Sequence, residues 1–258
     1  MPLSAGSTRA GLEARLAEVA EPGKSASVRL RNGIADLFGD DLVAMWLYGG
    51  QLAPGGSTGD VDLHTIVRRV PSDHELERIR ALHNAICRDL AIRELDAWYV
   101  LLDEARSVEP PKDLNWPVEV HDENWAIKRA HWLGGAYVLV HGVPPEDIVP
   151  RPDWPQVEAE LLAQLDEAAA VDEYRHPADL TLRLCRVLRS FVTKDVIHFK
   201  LDAAARARGE LSAASQAHVD AAMRLRRGVA KPGDRSLVAR HMATFCREVR
   251  SLVDKLPR

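Results

Sequence analysis

Hydrophobic residues recur with two different periods along this chain, and the period changes near residue 150. Before that point, short apolar or alternating runs predict β-strands at LVAMWLY (42–48), DVDLHTIV (60–67) and LDAWYVLL (95–102). Helical spacing predicts helices around residues 12–20, 28–38 and 74–90. The resulting order of strand, strand, helix and strand predicts a module built on a mixed sheet.

Prolines mark the change of period. The stretch PPEDIVPRPDWP (144–155) contains five prolines, which disfavour both a helix and a central strand. We therefore expect a first domain of residues 1–150, including N-terminal helices, and a second domain of residues 151–258. Helical periodicity with few β-branched residues predicts an all-α helical bundle in the second domain. The expected fold class is α+β.

Composition limits the partners of the protein. Among 258 residues, 34 Lys and Arg stand against 38 Asp and Glu, a net charge of -4, so no bulk positive field favours nucleic acid. No apolar run approaches the roughly 20 residues that span a bilayer, and the N-terminus lacks a signal-peptide pattern. We expect a cytoplasmic protein without a membrane partner; its oligomeric state stays open, with a monomer favoured.

The three cysteines are Cys87, Cys185 and Cys246. They lie far apart in predicted helices and are odd in number, so neither a disulfide framework nor a metal site is indicated. We expect them to be small hydrophobic residues of the core.

Two aspartates one residue apart are the first chemical signal. Asp60 and Asp62 lie on one face of a predicted strand, about 6.6 Å apart along the chain. At an effective dielectric constant near 20 their repulsion is roughly 2.5 kcal/mol, which a divalent cation would neutralise. Magnesium binds a few carboxylates together with phosphate oxygens, and two such ions can assist phosphoryl transfer. The alternative, that the pair lines a solvated strand edge, stays open.

Glycines and a third acid flank this pair. Gly49 and Gly50 follow the first strand and leave backbone N–H groups open to nucleotide phosphates. Asp96 lies on the third predicted strand, and because neighbouring strands are about 4.8 Å apart it can face the same site. His64 lies two residues beyond Asp62 and could touch the site, although plain packing is the favoured role.

These motifs resemble the nucleotidyltransferase superfamily of the polymerase-β-like fold, in which a hydrophobic-Gly-Gly motif, a spacer, Asp-x-Asp and a later acid follow one another. Here they read YGG, DVDL and LDA. The resemblance implies a polymerase-β-like first domain. It also implies that Asp60 and Asp62 bind metal with a nucleoside triphosphate, and that Asp96 is a third metal ligand or the base toward the acceptor hydroxyl.

The second half resembles the helical C-terminal domain of the aminoglycoside adenylyltransferases that modify streptomycin and spectinomycin. The segments that carry the resemblance are AYVLVHGVPPEDIV and LTLRLCRVLRSFVTKDVIHFKLDAAARA. It implies that Arg186 and Lys200 bind the triphosphate of ATP. The alternative, that both are solvated or ion-paired helix residues, stays open.

Three positions depart from the pattern of that family. Gly50 stands where a serine is common, which removes a hydroxyl that can contact phosphate. His176 stands where an acid that contacts the aminoglycoside is expected, and Asp172, Glu173 and Asp179 lie close enough in sequence to replace it. The expected nucleotide-stacking tyrosine has no clear counterpart in AAMRLRRGVAKPG (221–233).

The sequence therefore predicts a magnesium-dependent nucleotidyltransferase with two metal ions. It would move AMP from ATP to a hydroxyl of a small polar acceptor that can be cationic, with an aminoglycoside antibiotic as first candidate and resistance as the implied role. Two alternatives stay open. One is the same chemistry on another small-molecule or protein hydroxyl, and the other is a nucleotide-binding protein without turnover.

Overall fold

A computed structural model describes residues 15–53, 60–112, 123–170 and 176–257 of the chain. Contacts between residues divide the chain into two compact units, Met1–Pro152 and Asp153–Arg258. The first unit contains strands and helices, whereas the described residues of the second contain helices and no strand. No helix in these described ranges is both long enough and apolar enough to cross a membrane.

The first unit is a four-stranded mixed sheet with helices. Its strands are β1 (Leu42–Tyr48), β2 (Asp60–Val67), β3 (Glu94–Leu101) and β4 (Val138–Gly142), arranged in the order β3-β2-β1-β4. Its helices are α1 (Gly23–Phe38), α2 (Asp73–Leu90), α3 (Leu102–Ala105) and α4 (Trp125–Leu133). β1 pairs antiparallel with β2 and with β4, while β2 pairs parallel with β3. The long α2 connection makes that parallel pairing possible.

The three predicted strands and the mixed sheet are confirmed. α2 starts one residue before the predicted helix, because Ser72 and Glu75 form a reciprocal capping box at its N-terminus. α1 begins at Gly23, five residues earlier than predicted, and the predicted helix around 12–20 lies partly outside the described residues, with 15–18 helical. β4 was not predicted, because its five residues, VLVHG, are too few to show a clear period.

The two faces of the sheet carry different cores. Leu47, Leu63 and Ala97 belong to the cluster that packs against α1 and α2. The opposite face packs the fully buried Trp125 and Trp132 of α4 against other aromatic and aliphatic residues. Since side chains alternate along a strand, Asp60 and Asp62 of β2 and Asp96 of β3 belong to this tryptophan-bearing face.

The second unit is helical in all its described elements. The helices are α5 (Trp154–Ala170), α6 (Pro177–Thr193), α7 (Lys200–Ala207), α8 (Ala213–Arg226) and α9 (Asp234–Val253). α6 contacts each of the other four helices and is therefore the centre of the unit. As expected, Cys185 and Cys246 are buried, whereas Cys87 of the first unit is only partly buried.

A polar pair lies inside this helical core. The imidazole of His218 is fully buried, and its Nε2 atom lies 2.8 Å from the hydroxyl of Thr181 on α6. The Phe245 ring stacks on it at a centroid distance of 4.6 Å. Burial, helped by nearby His241, lowers the pKa of His218 to about 4. His218 is thus neutral in the folded protein at neutral pH.

This buried imidazole makes stability depend on pH. In the unfolded chain a histidine titrates near pH 6.5, so between pH 6.5 and about 4 the unfolded state binds a proton that the folded state does not. The free energy of unfolding should therefore fall as the pH drops through this window, by up to roughly 3 kcal/mol from His218 alone. We expect His218→Gln to lose this part of the pH dependence in urea unfolding between pH 7 and pH 4.5. His74→Gln, which changes an exposed histidine, is the control, and an unaltered pH slope in His218→Gln would contradict the assignment.

Candidate active site

The glycine turn after β1 touches the acidic end of β2. Gly49 has φ +73° and begins the turn Gly49–Leu52, a conformation that favours glycine. The backbone N–H of Gly50 donates a 3.4 Å hydrogen bond to Oδ2 of Asp62, and Nε2 of Gln51 donates a 2.8 Å bond to the carbonyl of Asp60. The turn and the start of β2 are therefore held together by hydrogen bonds.

There is no room for a side chain at the first of these glycines. A Cβ atom at Gly49 would lie 2.9 Å from Cγ of Asp62 and still closer to its Oδ2 atom. The glycine motif thus has a local physical reason, because the backbone passes directly over a carboxylate.

Parallel pairing brings two carboxylates together. Asp62 of β2 is the register partner of Asp96 of β3, so both side chains leave the same face of neighbouring strands about 4.8 Å apart. Burial raises the pKa of Asp96, and the negative charges of Glu94 and Asp60 add to this effect. Lys128 and a hydrogen bond from the Trp98 side chain oppose it. The surroundings of Asp96 therefore favour a bound cation or proton.

The first acid of the motif has a different partner. The guanidinium of Arg93 binds both carboxylate oxygens of Asp60, with Nη2 at 2.6 Å from Oδ1 and 2.7 Å from Oδ2. Nε of Arg93 adds a 3.0 Å bond to Oδ1. Arg93 immediately precedes β3, next to Glu94, the register partner of Asp60.

The donor set suits a hard divalent cation such as magnesium, which binds carboxylate oxygens. Asp62 and Asp96 are register partners, and a cation would relieve the repulsion between two neighbouring carboxylates. Within the described ranges, however, no three His, Cys, Asp or Glu side chains are grouped as metal ligands. Of the three predicted ligands, two are brought together, while Asp60 is engaged by Arg93.

A cluster of aromatic side chains around His64 lies on the same face of the sheet as the acids. His64 is fully buried, with its ring centroid 4.6 Å from Trp132, 5.4 Å from Tyr48 and 6.0 Å from Trp98. Burial holds the pKa of His64 well below its usual range, and Lys128 lowers it further, so the ring is neutral. This agrees with the packing role that the sequence favoured. The Nζ atom of Lys128 lies 4.0 Å from the centre of the Trp98 ring, a cation–π contact.

A cluster of cations surrounds one carboxylate in the second unit. The Nζ atom of Lys200 and the Nη1 atom of Arg226 each lie 3.4 Å from Oδ1 of Asp179. Burial lowers the pKa of Lys200, Asp179 opposes this, and the nearby charges of Arg186 and Arg226 lower it further. The structure thus brings the charges of Arg186 and Arg226 close to Lys200.

The three residues predicted to bind the acceptor are Glu173, His176 and Asp179. His176 is exposed at the N-cap of α6, and no side-chain hydrogen bond caps the helix there. Asp179 lies in the first turn of α6 and is shared by two cations. Glu173 lies outside the described residues.

The fold is similar to that of a solved adenyltransferase structure. A spectinomycin adenyltransferase, AAD(9) from Enterococcus faecialis, solved with ATP and spectinomycin, matches with a TM-score of 0.68. The match covers 86% of this chain and 98% of that chain, at 14% sequence identity. The two proteins share a fold. No protein-family model and no curated protein sequence matches the chain.

Three charged residues that lie near the predicted site residues, Arg93, Lys128 and Arg226, were not predicted from the sequence. Arg93 and Lys128 lie near the acids but are about 30 and 66 positions from Asp62 in the chain, so local spacing gave no signal for Lys128. Arg93 is only three residues before Asp96, a proximity that could have drawn attention to it. Arg226 belongs to the basic run RLRR, and a short basic run at a helix end is usually a solvated face.

The contact between Gly49 and Asp62 can be tested against a matched glycine. Gly228 has φ +72°, nearly the same as Gly49, but a Cβ there would meet nothing within 4 Å. We expect Gly228→Ala to cost about 1–2 kcal/mol from backbone strain alone, and Gly49→Ala to cost more because its methyl group overlaps Asp62. Thermal and urea unfolding of both variants measure the difference. Equal losses would contradict the close approach.

Proposed function

We propose that the protein is a nucleotidyltransferase that transfers AMP from ATP to a hydroxyl of a small polar acceptor, with an aminoglycoside as the first acceptor class. The observation that carries the proposal is the pairing of Asp62 with Asp96 beside the Gly49-Gly50 turn. The fold shared with an adenyltransferase that was solved with ATP and spectinomycin supports it.

The carboxylates of Asp60, Asp62 and Asp96 would hold magnesium together with the triphosphate. When bound, magnesium would neutralise charge on the phosphates and on the acids, which lowers the barrier to attack by an oxygen nucleophile. The raised pKa of Asp96 supports this assignment, because a carboxylate that is costly to ionise is stabilised by a nearby cation.

Asp96 is also the proposed base. The acceptor hydroxyl oxygen would form a bond to the α-phosphorus of ATP while its proton passes to the Asp96 carboxylate. The bond from that phosphorus to the bridging oxygen would break, and pyrophosphate would leave. Burial makes Asp96 a stronger base than an exposed carboxylate, and the hydrogen bond from Trp98 would hold its orientation.

Backbone and cationic groups would bind the phosphates. The tight turn at Gly49 and Gly50 brings the main chain close to the acids without an intervening side chain, which suits phosphate binding by N–H groups. Arg186 and Lys200 are proposed to bind the triphosphate of ATP through their positive charges, as cations do in phosphoryl transfer generally. The closeness of their charges to one another supports a shared polyanionic ligand.

A second candidate acceptor class has an observation in its favour. Asp179 is shared by Lys200 and Arg226, so it is a poor additional ligand for an ammonium group of a drug. His176 offers an imidazole in place of the expected acid. The same chemistry on a hydroxyl acceptor with little positive charge is therefore the second candidate.

Pyrophosphate release is the direct test of the reaction. We expect release from magnesium-ATP with at least one member of a panel of streptomycin, spectinomycin, other aminoglycosides and uncharged polyols. Asp96→Asn should reduce the rate at least about a hundredfold, because an amide is a far weaker base than a carboxylate. Asp103→Asn is the matched control, since that aspartate is 97% exposed and follows β3 outside the acidic group.

The outcomes separate the hypotheses. Release with an aminoglycoside supports the first acceptor class, and release with polyols alone supports the second. Binding of ATP with no release across the panel would contradict the proposed transfer and favour a nucleotide-binding protein. Full activity in Asp96→Asn would overturn its role as base.

The triphosphate contacts are tested by binding. Lys200→Ala should weaken magnesium-ATP binding about tenfold, because it removes a charge-assisted contact worth roughly 1.5 kcal/mol. Lys255→Ala, at an exposed position after α9, should leave the dissociation constant unchanged. Calorimetry measures both constants, and equal affinities for Lys200→Ala and the unmodified protein would remove Lys200 from the site.

A further inference from the structure

Arg93 forms an ion pair with Asp60, the first acid of the motif, and contacts both of its carboxylate oxygens. Three hydrogen bonds of 2.6 to 3.0 Å use both carboxylate oxygens of Asp60, so the oxygens that would ligate a cation already accept hydrogen bonds from a guanidinium. The fork of an arginine matches a carboxylate in a way that a lysine cannot.

The ion pair between Arg93 and Asp60 is accessible to solvent and contributes little to the stability of the fold. The Arg93 side chain is 65% exposed, and that of Asp60 is 26% exposed. Exposed ion pairs contribute little net stability because water and salt compete with them. Breaking the ion pair between Arg93 and Asp60 should therefore cost little free energy.

The position of Arg93 links this exchange to the site. It directly precedes β3, whose Asp96 lies beside Asp62, and Asp60 is two residues before Asp62 on β2. A divalent cation that approaches these acids is repelled by the guanidinium of Arg93, which also binds both carboxylate oxygens of Asp60. Removal of the guanidinium would free the third carboxylate and increase the negative potential of the site.

The geometry points to Arg93 as a displaceable internal cation that competes with the divalent metal for Asp60 and thereby limits metal affinity before nucleotide binds. This inference rests on the proposed function, since it takes Asp60 and Asp62 as ligands. It adds a residue that controls metal loading and that the resemblance to known transferases did not supply.

Binding of Mn²⁺ alone to the full-length chain, measured by calorimetry or by the electron paramagnetic resonance of free Mn²⁺, tests the inference without turnover. Arg93→Ala should bind Mn²⁺ about threefold to fivefold more tightly than the unmodified protein at low salt. Arg93→Lys, which keeps the charge but loses the fork, should lie between them. Arg88→Ala is the charge-matched control, because Arg88 is 74% exposed and pairs with Asp89.

Asp60 provides the decisive second variant. If Arg93 acts through Asp60, Arg93→Ala should give no gain in affinity when it is combined with Asp60→Asn. The same gain in Arg88→Ala, an unchanged affinity in Arg93→Ala, or a full gain in the double variant would each overturn the inference. Loss of binding in Asp62→Asn with no effect of Arg93→Ala would overturn only the role of Arg93. Absence of Mn²⁺ binding in every variant would overturn the metal site of the proposed function as well.

Discussion

The parallel pairing of β2 with β3 is the constraint on which the candidate site depends. It places the carboxylates of Asp62 and Asp96 side by side on one face, where their negative charges oppose one another. Three nearby residues accommodate or offset the negative charge of the acids. Gly49 leaves space over Asp62, Arg93 neutralises Asp60, and Lys128 lies close enough to lower the cost of ionising Asp96. The site is thus a local excess of negative charge held in place by a backbone ladder.

The core fixes this arrangement because the two sets of residues alternate on the same strands. Val61 and Leu63 are buried in the cluster beneath α1 and α2, so the residues between and before them must face the other way. A slip of one residue in β2 would bury two carboxylates and expose two apolar side chains. Burial of the apolar face therefore protects the geometry of the acids, without any need for contacts among the acids themselves.

The features that could be predicted from the sequence are the strands and helices with a clear hydrophobic periodicity. Alternation at the start of DVDLHTIV predicted both the strand and the shared face of its aspartates. The parallel pairing of β3 with β2 was not predicted and is seen only in the structure. The roles of Arg93, Lys128 and Arg226 depend on tertiary placement, because a charged residue near a strand or helix end is usually solvated. β4 escaped prediction for a different reason, since its five residues are stabilised by pairing with β1 rather than by a pattern of their own.

The charges of the second unit constrain which roles can coexist there. Asp179 was a candidate for binding a cationic acceptor, and Lys200 was a candidate for binding the triphosphate. The structure joins them, since Lys200 and Arg226 both approach the same Asp179 oxygen. A carboxylate that holds two cations in position has little negative potential left for an ammonium group, so holding Lys200 in place and binding a polycation are opposing roles for Asp179. If Lys200 binds phosphate, Asp179 acts as its anchor, and selectivity for a charged acceptor must come from other acids of the chain.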